Sequence, residues 1–178
     1  IKNDKTIKTQ EVIEAISNKV SHREDIMIST GVGNHQMMTA QFYRWTQPNQ
    51  MISSGSLGTM GVGVPFSIGA QLAHPNKTVI CIDGDGSFNM SMNELGTIAE
   101  YNIPVKIAIM NDSRQQMVYV WQELFFNSNF ISTTNKNPDY VKLAESFGIK
   151  AIRCDNPIDL DDKIDEFINY KGPILANF

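Results

Sequence analysis

Short apolar segments alternate with amphipathic segments along most of this chain, and that alternation constrains the fold more than any other feature. TVICI (78–82) is β-branched and apolar throughout, as is typical of a strand buried on both faces. VKIAIM (105–110) has the same character, whereas apolar residues recur at helical spacing from Met117 to Phe125. Apolar strands separated by helices build a parallel sheet covered on both faces. We therefore predict an α/β fold, a three-layer parallel sheet with helices on both faces.

Turn and capping residues give approximate bounds for these segments. Strands are predicted at 25–29, near Met51, and at 78–82, 105–110, 149–153 and 173–178. Helix starts are predicted at Thr9, at two capping boxes (Ser91 with Glu94, Ser113 with Gln116), at Asn137-Pro138 and at Asn156-Pro157. Gly148 is predicted to end the helix that follows Pro138.

Composition and charge exclude several classes of protein. The chain has 178 residues, a net charge of −4 and no cluster of Lys and Arg, so nucleic acid is not an expected partner. No apolar run approaches membrane-spanning length, and a membrane is not expected either. Cys81 and Cys154 lack the spacing of a metal site or a disulfide framework, which favours a reducing compartment. Because the sequence starts at Ile1 and stops in an apolar run at Phe178, we expect a single domain, 1–178, of a longer protein.

The segment IDGDGSFNMSMNE (82–94) has the acidic spacing of a metal loop. Counted from Asp83, its oxygen-bearing side chains fall on the ligand positions of an EF-hand. An EF-hand also needs a glycine where this sequence has Phe88, and a helix where it has an apolar strand. A calcium loop is therefore disfavoured. A plain strand-to-helix turn capped by carboxylates is the simplest alternative.

Glycine-rich polar loops follow the predicted strands, at 30–36, 53–63, 83–87 and 111–114. Ligands of such sheets bind beyond the carboxyl ends of the strands, so four loops of this kind indicate one composite site. Asp85 and Asp112 end neighbouring strands and can converge on one cation. Gly84 and Gly86 allow backbone N–H groups to approach a phosphate, near Ser87. Mg²⁺ is typically coordinated by a few protein oxygens together with the oxygens of a diphosphate.

These residues resemble a known family. GDGSF followed by Asn111-Asp112 is similar to the thiamine-diphosphate motif, and the match is wider still to the catalytic subunit of the acetohydroxyacid synthase (acetolactate synthase) family. The resembling runs are GNHQMMTAQFYRW, SSGSLGTMGVGVPFSIGAQLAHP, IDGDGSFNM, PVKIAIMND and QMVYVWQ. The resemblance extends from Thr9 to Phe178. It implies the family's carboxyl-terminal domain, which binds the cofactor diphosphate, without the pyrimidine-binding domain and the middle, FAD-contacting domain.

The resemblance also implies roles for individual residues. The metal ligands would be Asp85, Asp112 and the backbone carbonyl of Arg114. The residues that would contact the cofactor are Gly33, Asn34, His35, Gly58, Met60, Gly84, Gly86, Ser87 and Met117, with Met60 as an apolar wedge beneath it. The substrate approach would be lined by Met117, Val118 and Trp121. Two positions depart from the family pattern, because Asp112 replaces an Asn and Asn34 replaces a Gln.

Simpler interpretations of single residues stay open. His35 alone is more often a loop or core histidine than a cofactor contact, and Met117, Val120 and Trp121 also suit a helix that packs against a core. The glutamate that activates the cofactor lies, by resemblance, on another domain. Glu94, Glu100 and Glu123 match no such motif, so no catalytic residue is assigned within this chain.

The resemblance implies a transferase that decarboxylates pyruvate and condenses it with a second 2-keto acid such as 2-ketobutyrate, in branched-chain amino-acid biosynthesis. It implies thiamine diphosphate and Mg²⁺ as cofactors, FAD in the full-length enzyme, a homodimer or higher oligomer, and a possible regulatory subunit. The location would be cytoplasmic, plastid or mitochondrial, and this domain alone would be inactive. The alternatives are another thiamine-diphosphate decarboxylase or oxidase, or a non-enzymatic calcium- or nucleotide-binding module.

Overall fold

The computed structural model describes residues 6–178 and contains one parallel sheet. Its strands in chain order are β1 (Ile26–Thr30), β2 (Met51–Ile52), β3 (Thr78–Gly84), β4 (Lys106–Met110), β5 (Lys150–Arg153) and β6 (Ile174–Asn177). They lie side by side in the order β2-β1-β3-β4-β6-β5, and every neighbouring pair is parallel. The α/β class and the parallel sheet predicted from the sequence are confirmed.

Eight helices connect or flank these strands within the described residues. They are α1 (Thr9–Val20), α2 (Asn34–Phe42), α3 (Gly63–Ala73), α4 (Asp85–Phe88), α5 (Leu95–Tyr101), α6 (Gln116–Phe125), α7 (Tyr140–Ser146) and α8 (Leu160–Asn169). Short 3₁₀ turns, Met92–Glu94 and Pro157–Asp159, precede α5 and α8. No helix within residues 6–178 combines the length and the apolar character that crossing a membrane requires.

The core consists of two apolar layers, one on each face of the sheet. Along β4, Ile107 and Ile109 pack into the layer beneath α3, α5 and α7. Ala108 and Met110 point the other way, into the layer formed with α1 and α8. Successive residues of a strand alternate between faces, so a strand that is apolar at every position requires both faces to be covered. The periodicity of the sequence thus dictates the three layers.

Four predicted helix starts differ from the structure, at Thr9, Ser91, Ser113 and Asn137. Thr9 is the first residue of α1, and its cap is Lys8, whose backbone N–H donates to the Glu11 carboxylate at 3.0 Å. Ser91 does not cap α5, because its buried hydroxyl has no hydrogen-bond partner and a 3₁₀ turn intervenes. Ser113 has a left-handed backbone, φ 58°, and α6 begins only at Gln116. A residue in that conformation cannot be the extended N-cap of a helix.

The remaining helix ends follow the sequence more closely. Asp139, rather than Asn137, caps α7 by accepting hydrogen bonds from two backbone N–H groups. Gly148 ends that helix with φ +75°, and the N–H of Ile149 donates to Ala144 at 3.0 Å. Asn156 accepts from the N–H of Ile158, as its position before Pro157 predicts.

Candidate functional site

A cleft of about 210 Å³ opens beyond the carboxyl ends of β1, β3 and β4. All four glycine-rich or polar loops predicted from the sequence contribute to its walls. The lining residues are Thr9, Val32, Gly33, Asn34, His35, Gly58, Met60, Gly84, Asp85, Gly86, Ser87, Met110, Asp112, Arg114, Gln115, Gln116, Met117 and Val118. One composite site therefore exists where the order of parallel strands places it.

The cleft brings together every residue predicted to contact the cofactor or the metal, and two of the three predicted to line the substrate approach. Trp121 is the exception. It lies one turn beyond the lining part of α6, and 56% of its surface is exposed. The alternative that Met117, Val120 and Trp121 are core residues is wrong, because α6 has no fully buried residue and Val120 is only half-buried. The individual contacts with a cofactor stay predictions.

The floor of the cleft needs glycine for steric reasons. A Cβ atom added to Gly86 would lie 2.6 Å from the Gln115 side chain, and one added to Gly84 would lie 2.6 Å from His35 Nδ1. Gly33, which precedes α2, has φ +149°, a conformation that L side chains rarely adopt. A larger residue at these positions would require its neighbours to move, and in this structure the backbone itself forms the surface on which a ligand could rest. Such a surface fits a diphosphate group.

Asp85 lies at the base of the cleft and is only 2% exposed. Its Oδ2 accepts a hydrogen bond from Asn137 Nδ2 at 2.5 Å and a longer one from Asn135 Nδ2 at 3.4 Å. No hydrogen bond within the described residues reaches Oδ1. One carboxylate oxygen is thus engaged by amides, and the other is available to a cation.

Asp112 supplies the second carboxylate of the cleft. Its Oδ1 accepts from the backbone N–H of Arg114 at 3.0 Å. Desolvation by the surrounding walls, and then the negative charge of Asp85, raise the pKa of Asp112 above its ordinary value of 3.8. Two carboxylates that repel each other across a cleft form a site that a divalent cation would neutralise.

The described residues contain no group of three or more His, Cys, Asp or Glu side chains that could hold a metal unaided. β3 also precedes the acidic loop directly, so the helix that an EF-hand requires is missing there. The two carboxylates fit Mg²⁺ better, because this ion is commonly bound by one or two carboxylates together with phosphate oxygens and water.

Asp83 and His35 form a buried polar pair next to the cleft. Asp83 is fully buried, its Oδ1 accepts from the N–H of Gly84 at 3.0 Å, and its Oδ2 has no partner. Nε2 of His35 lies 3.2 Å from Asp83 Oδ1 but lacks the angle of a hydrogen bond. The structure therefore does not leave His35 in an apolar core. It sets the imidazole between a buried carboxylate and the glycines of the cleft.

Sequence reasoning missed an amide cluster behind Asp85. The cluster consists of two groups that meet at Asp85 Oδ2. Side-chain hydrogen bonds of 2.8–3.1 Å link Asn89, Asn137, Asn111 and Asn177 in one group, and a bond of 3.1 Å links Gln115 to Asn135 in the other. The sequence predicts Asn137 only as the start of a helix. The excess of asparagine between Asn127 and Asn137 was the available signal, but nothing local indicates that these side chains reach the cleft.

Comparison with known proteins decides between the ligands that such a cleft could hold. Residues 31–178 match the family model described as "Thiamine pyrophosphate enzyme, C-terminal TPP binding domain". The chain belongs to this family. Thiamine pyrophosphate is another name for thiamine diphosphate, so the fold and ligand class predicted from the GDG motif are confirmed.

Curated relatives of this thiamine pyrophosphate-binding domain carry one common name. The chain is 49% identical over 170 residues to "Acetolactate synthase, mitochondrial" of Schizosaccharomyces pombe, covering 95% of the chain and 25% of that protein. It is 46% identical over 170 residues to the mitochondrial acetolactate synthase catalytic subunit of Saccharomyces cerevisiae, again 95% and 25%. It is 43% identical over 154 residues to the acetolactate synthase isozyme 2 large subunit of Escherichia coli, 86% and 28%. The chain thus spans about a quarter of the length of these relatives.

Proposed function

We propose that this chain is the thiamine-diphosphate- and Mg²⁺-binding domain of an acetolactate synthase, a transferase of branched-chain amino-acid biosynthesis. The whole enzyme would decarboxylate pyruvate and condense it with a second 2-keto acid. The observation that carries the proposal is the cleft itself. It combines two carboxylates with a glycine floor in a chain 43–49% identical to proteins of that name.

Asp85, Asp112 and the backbone carbonyl of Arg114 are proposed to bind Mg²⁺. The support for this is the unengaged Oδ1 of Asp85 and the electrostatic repulsion between the two carboxylates. The glycine floor at Gly84 and Gly86 is proposed to hold the diphosphate, whose oxygens would complete the metal shell. Ser87 supports the loop, since its hydroxyl accepts a hydrogen bond from the N–H of Gly61 at 2.9 Å.

Met117 and Val118 are proposed to line the substrate approach, because both form part of the cleft wall at the start of α6. Trp121 would contribute only to substrate or partner groups beyond the cleft, given its exposed position. When bound, thiamine diphosphate supplies the electron sink that lets a 2-keto acid lose carbon dioxide. The residues of this chain hold that group in place and counter its charge.

FAD, a regulatory subunit and an oligomeric assembly are proposed for the full-length enzyme only. The names "catalytic subunit" and "large subunit" of the relatives support the existence of a further subunit. A mitochondrial location is supported by the fungal relatives, whose names include that organelle.

Calorimetric titration of the 178-residue chain with thiamine diphosphate, with and without Mg²⁺, tests the proposal. Each ligand should strengthen the binding of the other, because two carboxylates alone make an incomplete metal shell. Tight binding of Ca²⁺ without any cofactor, or equal cofactor binding with and without Mg²⁺, would contradict it. Thiamine monophosphate is the matched ligand control, since it lacks one phosphate and should lose most of the Mg²⁺ dependence.

A further inference from the structure

We propose that Asn137 is a positioning residue for the metal site, because its side-chain amide joins the two segments that carry the metal-binding carboxylates. This inference rests on the proposed function. It concerns a residue outside the cleft lining, on the segment that leads into α7.

The two hydrogens of Asn137 Nδ2 have two acceptors. One is Asp85 Oδ2 at 2.5 Å, and the other is Asn111 Oδ1 at 2.8 Å. Asn111 directly precedes Asp112, and its own Nδ2 donates to Asn177 Oδ1, at the end of β6, at 3.1 Å. A single amide group therefore ties the Asp85 carboxylate to the residue next to Asp112. Asn111 in turn connects this pair to the neighbouring strand β6.

The direction of these hydrogen bonds is determined by Asp85. An ionised carboxylate only accepts, so the nitrogen of the Asn137 amide has to face it. The oxygen of the same amide then accepts from Asn89 Nδ2 at 3.0 Å, and Asn89 Oδ1 accepts from the hydroxyl of Tyr140 at 2.8 Å. Tyr140 is fully buried and Asn89 half-buried. The amide is thus held from behind by two groups that touch neither carboxylate.

This arrangement selects which oxygen of Asp85 faces a metal. With Oδ2 engaged by Asn137, Oδ1 is the atom left without a hydrogen bond among the described residues. Mg²⁺ demands near-ideal octahedral geometry, whereas Ca²⁺ accepts variable geometry and longer bonds. A carboxylate that loses its support should therefore lose more affinity for Mg²⁺ than for Ca²⁺.

Asn137→Ala tests this inference. Removal of a hydrogen-bond partner of a metal ligand typically weakens metal binding about 10- to 100-fold, and we expect a loss of that size for Mg²⁺ at saturating thiamine diphosphate. The loss for Ca²⁺ should be clearly smaller, so that the ratio of Mg²⁺ to Ca²⁺ affinity falls. A purely structural role would leave that ratio unchanged. Titration calorimetry with each cation in turn gives both affinities.

Two further variants complete the experiment. Asn89→Ala removes the donor behind Asn137 without touching Asp85, and we expect a smaller loss in the same direction. Asn156→Ala deletes an asparagine side chain that caps a 3₁₀ turn away from the cleft, and it should leave both metal affinities unchanged. Circular dichroism and thermal unfolding of each variant establish that the fold is intact. If Asn137→Ala were to unfold the chain, Asn89→Ala would still test the inference.

The outcomes separate this inference from the proposed function. If the unmodified chain shows no coupled binding of Mg²⁺ and thiamine diphosphate, the proposed function fails. If the unmodified chain binds both, but Asn137→Ala retains its Mg²⁺ affinity or loses Mg²⁺ and Ca²⁺ affinity equally, the positioning role of Asn137 is wrong.

Discussion

The charged groups at the two edges of the sheet differ in how completely they are paired. At the amino edge, where the strands begin, Arg23 donates to both oxygens of Asp25, at 3.0 and 2.6 Å, and to the hydroxyl of Thr78 at 2.9 Å. Lys106, only 5% exposed at the start of β4, donates to the carbonyl of Tyr170 at 2.6 Å. These charged groups have partners within the chain.

At the carboxyl edge, by contrast, the titratable groups have incomplete sets of partners. Asp83 Oδ2 and His35 Nε2 are buried without a hydrogen bond, although His35 Nε2 lies 3.2 Å from Asp83 Oδ1, and the negative charge of Asp85 contributes to the raised pKa of Asp112. Neutral side-chain oxygens without a hydrogen-bond partner occur near both edges, for example those of Gln71 and Gln116. The two edges therefore differ only in the pairing of their titratable groups. Polar atoms that are paired within the chain are not open to a ligand, whereas carboxylate oxygens without a partner in a cleft cost stability and are available to one.

The largest expected effect is the absence of catalysis by this chain alone. No glutamate among the described residues lines the cleft, and none was assigned as the residue that activates the cofactor. We therefore expect the 178-residue chain to bind the cofactor but to produce no acetolactate from pyruvate. The assay contains thiamine diphosphate, Mg²⁺ and FAD. Turnover above the rate of free thiamine diphosphate would show that these residues include a catalytic carboxylate. The cleft at the carboxyl edge would then need no residue from another domain.

The second prediction removes a charge from the carboxyl edge. Asp85→Ala should abolish the Mg²⁺-dependent binding of thiamine diphosphate, a loss of more than about 100-fold, because the remaining carboxylate cannot hold the ion alone. Asp162→Ala, on the exposed face of α8, removes the same formal charge and should leave binding unchanged. Titration calorimetry distinguishes the two. Retention of metal-dependent binding by the Asp85 variant would exclude it as a ligand.

The third prediction tests the amino edge through stability. Burial, and then the charge of Arg23, lower the pKa of Lys106 from 10.5 to about 8. Between these values the unfolded chain binds more protons than the folded chain, so the free energy of unfolding should rise as pH increases from about 8 towards 10.5. Lys106→Met should flatten this rise and stabilise the fold near pH 7 by on the order of 1–3 kcal/mol.

Urea unfolding at pH 7.5 and 9.5 measures this difference, with Lys142→Met as the control. The Lys142 side chain is 82% exposed, and its replacement should not change the pH dependence. If Lys106→Met were destabilising at both pH values, the bond to Tyr170 would outweigh the cost of burying the charge.

The smallest expected effect comes from Asp112→Asn. This change removes a charge that attracts Mg²⁺ and repels a diphosphate, so metal affinity should fall several-fold while cofactor affinity at saturating Mg²⁺ stays equal or improves. Because the pKa of Asp112 is raised above 3.8, protons should compete with Mg²⁺ as pH falls towards that range. The Asn variant should lose this part of the pH dependence. A much weaker cofactor affinity at saturating metal would indicate a further role for Asp112.

Much of the fold was predictable because its signals are local. The apolar runs that became β3 and β4 lie within a residue or two of their predicted bounds, since a strand covered on both faces has to be apolar at each position. The glycine loops were predictable for a similar reason. Positive φ angles at Gly33, Gly58 and Gly61 favour glycine through the local backbone alone.

The errors occur where distant residues decide local structure. Ser113 resembles a helix cap, but its carbonyl accepts from the N–H of Asn135 at 2.8 Å, and its backbone adopts a left-handed conformation in that loop. Asn137 resembles the start of α7, but Asp139 caps that helix and the Asn137 side chain donates to Asp85, 52 positions away. Neither outcome has a signal within a few residues of the position concerned.

The sequence by itself determined the layers, the strand ends and the loops that meet at the cleft, because periodicity, apolar runs and glycine act over a few residues. Only the tertiary structure decided which polar atoms are paired. Asn137 reaches Asp85 across 52 positions of sequence, whereas Oδ2 of Asp83 has no partner although its residue is fully buried. Hydrogen bonds act over about 3 Å in space and depend on angle, so they form between groups that only the packed sheet brings together.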